Sequence, residues 1–172
     1  MCLITSMSEE SLQPSQPRRD FRPAALLPKT PLFILHINDS TDDQVLFQAA
    51  CKKGNVPFEW QVADSAKGGI DFLQSLLDLS SKQDVRWPDL VLLDLNMPQE
   101  NGLRVLEYIR GRAELRLLPV IILTGHPVSS AIENAYRLGA NAFHEKPVNF
   151  EEMVTLVQGL YGAWSQSRRP VL

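Results

Sequence analysis

Polar side chains with chemical potential stand directly after the apolar runs of this chain. Asn38 and Asp39 follow Leu32-Phe33-Ile34-Leu35-His36-Ile37, and Asp94 follows Leu90-Val91-Leu92-Leu93. Thr124 follows Pro119-Val120-Ile121-Ile122-Leu123, and Lys146 lies just beyond Ala142-Phe143-His144. Taken singly, an Asp at a strand end ahead of a Pro-containing loop often only caps a turn. Gathered at one edge, these residues suit a definite chemistry. Two carboxylates brought close repel unless a cation lies between them, and hard oxygen ligands select Mg²⁺ or a similar ion. Mg²⁺ keeps several waters and favours a phosphate oxygen as a further ligand. The Lys146 ammonium and the Thr124 hydroxyl would complete a pocket for a phosphoryl group, whose charge spreads over three oxygens in transfer. The remaining role is a nucleophile, and carboxylates form aspartyl phosphates.

The elements that must position these groups follow from periodicity. The run ending in Leu93 has the length and β-propensity of a strand buried on both faces in a parallel sheet. Pro98 removes a backbone donor, and Asn101-Gly102 supplies turn chemistry, so Asp94 is placed at a strand-to-loop junction. Phe58-Glu59-Trp60-Gln61-Val62-Ala63 alternates as a half-exposed edge strand does. Between the strands lie helical patterns: Leu46, Ala49 and Ala50 after the potential caps Ser40, Thr41 and Asp42; Ile70, Leu73, Leu76 and Leu77; Leu103, Leu106, Tyr108 and Ile109, ending near Gly111 or a turn later. Val128, Ala131, Ile132, Ala135 and Leu138 form a fourth helical face closed by Gly139, and Asn149 with Glu152 resembles a capping box for the last helix. His36, in mid-strand, reads as a packed core residue. Five strands alternating with five helices predict a parallel, doubly wound α/β domain. Right-handed crossovers put the strand ends along one edge, where such sheets bind ligands.

Residues 1–30 are rich in Ser, Gln, Arg and Pro without a hydrophobic period and read as a disordered leader; 31–163 are the expected domain and 164–172 a short polar tail. A length of 172 residues suits one such domain. The formal net charge of -3 and the scattered basic residues exclude a nucleic-acid footprint. Cys2 and Cys51 form neither a disulfide framework nor a metal-ligand spacing. No apolar stretch approaches about 18 residues, and no basic-then-apolar leader is present, so the expectation is a cytoplasmic protein with no membrane partner.

From about Leu32 to Tyr161 the chain resembles the receiver domains of two-component response regulators. Asp94-Leu95-Asn96-Met97-Pro98 with Gly102, then Leu123-Thr124-Gly125, then Glu145-Lys146-Pro147 match that family's motifs in order and spacing. The resemblance implies a flavodoxin-like strand order 2-1-3-4-5 and a phosphoryl group accepted by Asp94 from a histidine kinase or phosphotransfer protein. It implies Mg²⁺ held by Asp39, Asp94 and the main-chain carbonyl of Asn96, phosphoryl oxygens held by Thr124 and Lys146, and a cis Lys146-Pro147 bond. The family usually has two acids after its first strand. Here the first is Asn38, which can orient a metal-bound water from the outer shell, and weaker Mg²⁺ binding is expected. Phe143 is either a buried edge-strand residue or the aromatic side chain that moves with Thr124 on activation. Asn96 and His126 occupy positions that influence water access to the phosphoryl group, although His126 also reads as an exposed loop residue.

The leading expectation is a stand-alone phosphorylatable switch acting through a downstream protein or a homodimer. Its small size and the long polar connection before Trp87 also resemble regulators paired with phytochrome-like kinases. A pseudo-receiver working without phosphorylation is the alternative that Asn38 favours. A haloacid-dehalogenase phosphatase wants a second acid where Asn96 stands. A flavin-binding relative would need donors where residues 38–43 offer acids.

Overall fold

The computed structural model describes residues 31–165, apart from 82, 98, 99 and 126. The leader over 1–30, the tail beyond 165 and His126 lie outside the described residues. The chain runs β1 (Leu32–Ile37), α1 (Thr41–Lys53), β2 (Phe58–Ala63), α2 (Ala66–Ser80), β3 (Leu90–Leu93), β4 (Asn96–Met97), β5 (Glu100–Asn101), α3 (Leu103–Arg110), β6 (Val120–Thr124), α4 (Ser129–Arg137), β7 (Ala142–Glu145) and α5 (Phe150–Trp164). The main sheet is parallel in the order β2-β1-β3-β6-β7, which is 2-1-3-4-5 among its five strands. β4 and β5 form a separate antiparallel pair that the turn chemistry after Asp94 does not announce.

Alternation within the apolar strands divides the core into two layers. Leu35, Ile37, Val91, Leu93 and Ile122 meet Leu73 of α2 and Val105, Leu106 and Ile109 of α3. Ile34, Leu90, Leu92, Ile121 and Leu123 meet Phe47 and Ala50 of α1 and Val157 of α5. A strand with helices on both faces buries both its side-chain rows, so β3 is apolar throughout and β6 is apolar up to the buried Thr124 at its end. β2, at the sheet edge, exposes Glu59, Trp60 and Gln61. His36 belongs to the α1/α5 layer, where its ring lies 5.1 Å from that of Phe47.

Local signals set the helix ends. Ser40 caps α1 by accepting from the Asp43 N–H (3.2 Å), and Asn149 caps α5 by accepting from the Glu152 N–H (2.9 Å). Gly139, just past α4, adopts φ +92°, the left-handed conformation that favours glycine at a helix exit. Gly102 lies in the turn read in sequence and has a further role there. A Cβ there would stand 2.5 Å from the Asp94 carbonyl oxygen and 2.9 Å from Leu95 Cα, so only a glycine lets α3 start against the loop that carries Asp94.

Candidate functional site

The strand register assembles the site. Ile37 and Leu93 are partners across β1 and β3, and the Asp94 N–H donates to the Ile37 carbonyl (2.9 Å) one residue beyond the ladder. Asn38 continues the other pairing, its N–H donating to the Ala63 carbonyl (3.0 Å). β6 lies beside β3, and the Lys146 N–H donates to the Thr124 carbonyl (2.9 Å), which joins the ends of β6 and β7. Neighbouring strands thus carry Asn38, Asp94, Thr124 and Lys146 to one edge of the sheet.

Asp94 is nearly closed off from solvent, with 5% of its side chain exposed. Its Oδ1 accepts from the Asn96 N–H (2.9 Å), and its Oδ2 accepts from Lys146 Nζ (2.5 Å). The same ammonium donates to Asp43 Oδ2 (2.5 Å). Burial acts to lower the pKa of Lys146, but the hydrogen bonds and charges of Asp43 and Asp94 outweigh it and raise the pKa above its ordinary value. Lys146 therefore stays a cation at the centre of the site. Thr124 Oγ1 is buried without a hydrogen-bond partner among the described residues. An unmatched buried hydroxyl costs on the order of 1–3 kcal/mol, which a ligand oxygen arriving there would offset.

Asn38 is buried, and its Oδ1 accepts from the Ser40 N–H (2.9 Å) while its carbonyl accepts from Gln44 Nε2 (2.7 Å). Asp39 is the exposed residue next to it, at the rim. Asn96 is exposed on β4. Phe143 is half-buried on β7, opposite Ile122, and packs against the α2/α3 layer. Asp43 is the site residue that motif matching does not single out. Its sequence signal is its place three residues after the cap Ser40, in the first turn of a helix that starts at the site edge. The expected cis Lys146-Pro147 bond is corrected: no peptide bond among the described residues is cis. The trans form of a bond before proline is favoured by about 0.5–1 kcal/mol, and Lys146 reaches both carboxylates with that form in place.

The donor set suits a hard divalent cation. Asp39 and Asp94 carry oxygen donors just past the adjoining strands β1 and β3, Asn96 lies two residues beyond Asp94 in β4, and the ammonium seated on Asp94 shows that the locus favours positive charge. Among the described residues no group of three His, Cys, Asp or Glu side chains is gathered for metal binding.

The family model of the response regulator receiver domain matches residues 37–158. The response regulator Rcp1 of Synechocystis sp. is 28% identical over 137 residues, spanning 80% of this chain and 91% of that protein. The crystal structure of the Mn²⁺-bound form of Rcp1 superposes with a TM-score of 0.68 at 27% identity, covering 83% of this chain and all of the other. Response regulator RPA3017, described in red light signalling of R. palustris, gives a TM-score of 0.72 at 25% identity over 82% of this chain and 99% of that one. The phosphorylated cyanobacterial phytochrome response regulator RcpA gives 0.65 at 25% identity over 81% and 98%.

Proposed function

Because the chain belongs to the response regulator receiver family, we propose that it accepts a phosphoryl group on Asp94 and signals through altered protein contacts. Receiver domains are signalling modules that work with histidine kinases or phosphotransfer proteins. The observation that carries the finer reading is the pairing of Asp94 Oδ2 with the Lys146 ammonium, next to the partnerless Thr124 hydroxyl on the following strands.

In the reaction, a carboxylate oxygen of Asp94 forms the O–P bond as the N–P bond of a phosphohistidine breaks. The imidazole leaves with the electron pair and takes a proton from water. Lys146 passes from the carboxylate to a phosphoryl oxygen, and Thr124 donates its hydroxyl to another, which places fixed donors where charge develops. Asp39, Asp94 and the Asn96 carbonyl would hold Mg²⁺, with Asn38 in the outer shell. When bound, the ion neutralises carboxylate and phosphoryl charge. Movement of the Thr124 hydroxyl toward the phosphoryl group frees space for Phe143 to reorient, and the surface around the last two strands and helices conveys the change. The partner kinase is of the phytochrome type, a reading supported by the similarity to RcpA, a cyanobacterial phytochrome response regulator. The output is a protein target or a second copy of the chain, since the net charge of -3 disfavours direct nucleic-acid contact.

Intact-protein mass spectrometry after incubation with Mg²⁺ and phosphoramidate, and separately with a phosphorylated histidine-kinase domain, tests this. Addition of one phosphoryl group, abolished by Asp94→Asn and by chelation, is the expected result. A folded native chain left unmodified by both donors would overturn it and leave the pseudo-receiver.

A further inference from the structure

Lys146 has two anionic partners, and the phosphoacceptor reading uses only one of them. Asp43 lies in the first turn of α1, far from Lys146 in sequence, yet its Oδ2 is as close to the ammonium as Asp94 Oδ2 is, 2.5 Å in each case. The Lys146 side chain is 14% exposed; its Asp94 partner is 5% exposed and its Asp43 partner 37%, so the Asp43 contact is the more solvated of the two but is anchored on a largely buried ammonium.

The local structure of α1 explains why Asp43 is available. With Ser40 as the cap, Asp43 occupies the third helical position, where an acidic side chain ordinarily turns back to accept from the cap residue's own N–H. Here the Ser40 N–H is already taken by Asn38 Oδ1 (2.9 Å). The carboxylate of Asp43 is thereby released from local capping and reaches across to β7. Asn38 does this without adding a charge of its own.

We propose that Asp43 is a positioning residue that retains the Lys146 ammonium at the site while Asp94 gives it up. Both Asp94 oxygens are engaged in the unphosphorylated chain, Oδ1 by the Asn96 N–H and Oδ2 by Lys146. Forming the O–P bond turns the carboxylate into an acyl phosphate, a mixed anhydride whose remaining carboxyl oxygen is a neutral carbonyl, and weakens the hold of Asp94 on the ammonium. A lysine with a single anchor would then lose its fixed place, since its long side chain has much rotamer freedom to regain. The second anchor keeps Nζ where the phosphoryl oxygens arrive, so the ammonium is preorganised for the transferred group and not recruited to it.

This inference rests on the phosphoacceptor reading, and its test keeps the two apart. Phosphorylation rate constants at saturating and at low phosphoramidate, with Mg²⁺ affinity measured separately, are compared for the native chain, Asp43→Asn, Asp43→Glu, Lys146→Met and the double variant Asp43→Asn/Lys146→Met. Asp43→Asn is expected to slow the saturated rate about tenfold, on the scale of one charged hydrogen bond. Its Mg²⁺ affinity should stay within about twofold of native, and Asp43→Glu should recover much of the loss. In the Lys146→Met background the Asp43→Asn change should add nothing, because the residue acts only through that lysine. Native-like rates in a folded Asp43→Asn protein would overturn the proposal. So would additive losses in the double variant, or a fall in Mg²⁺ affinity that matches the fall in rate. A native chain that takes no phosphoryl group overturns the phosphoacceptor reading itself, and this proposal with it.

Discussion

His36 should make the protein sensitive to acid in a defined window. Its ring is 3% exposed in the middle of β1, and its register partners are Val62 and Leu92. Burial, and after it the charge of Lys146, lower its pKa from 6.5 to about 4. Above pH 6.5 the imidazole is neutral in both the folded and the unfolded chain, and the stability is fully present. As the pH falls from 6.5 toward 4, the unfolded chain binds a proton that the folded chain does not. Stability is then lost at up to about 1.4 kcal/mol per pH unit, or about 3 kcal/mol across the window. Carboxylates begin to titrate in the same range, so the informative quantity is a difference between variants. His36→Leu keeps a similar volume in the apolar layer around Phe47 and removes the titration. Urea unfolding of both proteins in chelator, at intervals from pH 7.5 to 4, measures it. The advantage of native over variant should shrink, or its disadvantage grow, by about 3 kcal/mol on acidification. Parallel stability curves for the two proteins would refute the argument, as would an NMR titration of the His36 ring in the folded protein with a midpoint near 6.5.

Three further outcomes follow from particular contacts. Arg110 donates to the Gly139 carbonyl through Nε and Nη2, to the Leu118 carbonyl through Nη1 and to Asn141 Oδ1 through Nη2, fastening α3 to the loops before β6 and β7. Arg110→Ala should cost about 2 kcal/mol and lower Tm by several degrees in calorimetry, and an unchanged Tm would count against that role. Gly102→Ala places a methyl against the backbone of the Asp94 loop. It should destabilise by about 1–3 kcal/mol and reduce phosphoryl acceptance, whereas Gly159→Ala, with open space around its Cβ on α5, should be neutral or stabilise by up to about 1 kcal/mol. Asn38→Asp adds a carboxylate at the metal edge and should tighten Mg²⁺ binding several-fold, read by calorimetric titration; equal affinities would show that the missing charge is of no consequence.

The elements of this fold are legible because local physics determines them. Continuous apolar runs at β3 and β6 and the helical stripes between strands depend on which faces are buried, and sequence periodicity records this directly; β2 is legible as an edge strand, although its Trp60 is exposed beside Glu59 and Gln61 and breaks the alternation. The caps Ser40 and Asn149 and the exit at Gly139 are equally local, since each involves atoms within a turn of its own helix. Residues at strand ends could be gathered into one site for a topological reason: parallel strands joined by right-handed crossovers present the same end to the same edge.

What crosses between elements was not legible in this way. The use of Gly102 as a close approach to the Asp94 carbonyl, beyond its place in a turn, depends on where α3 meets the loop after β3. The antiparallel pair of β4 and β5 is too short to leave a period in the sequence. The second anchor of Lys146 is the clearest case. The type and position of Asp43 announce a helix cap, and only the fold, which brings the first turn of α1 and the residue after β7 to one edge of the sheet, with Asn38 already occupying the cap N–H, turns its carboxylate toward the lysine. The five strands of the main sheet, the five helices and the identity of the groups at their ends are readable in the sequence, because these follow from short-range periodicity and stereochemistry. The tertiary structure alone decided which of those groups share a hydrogen bond, because a distance between elements depends on how whole layers pack.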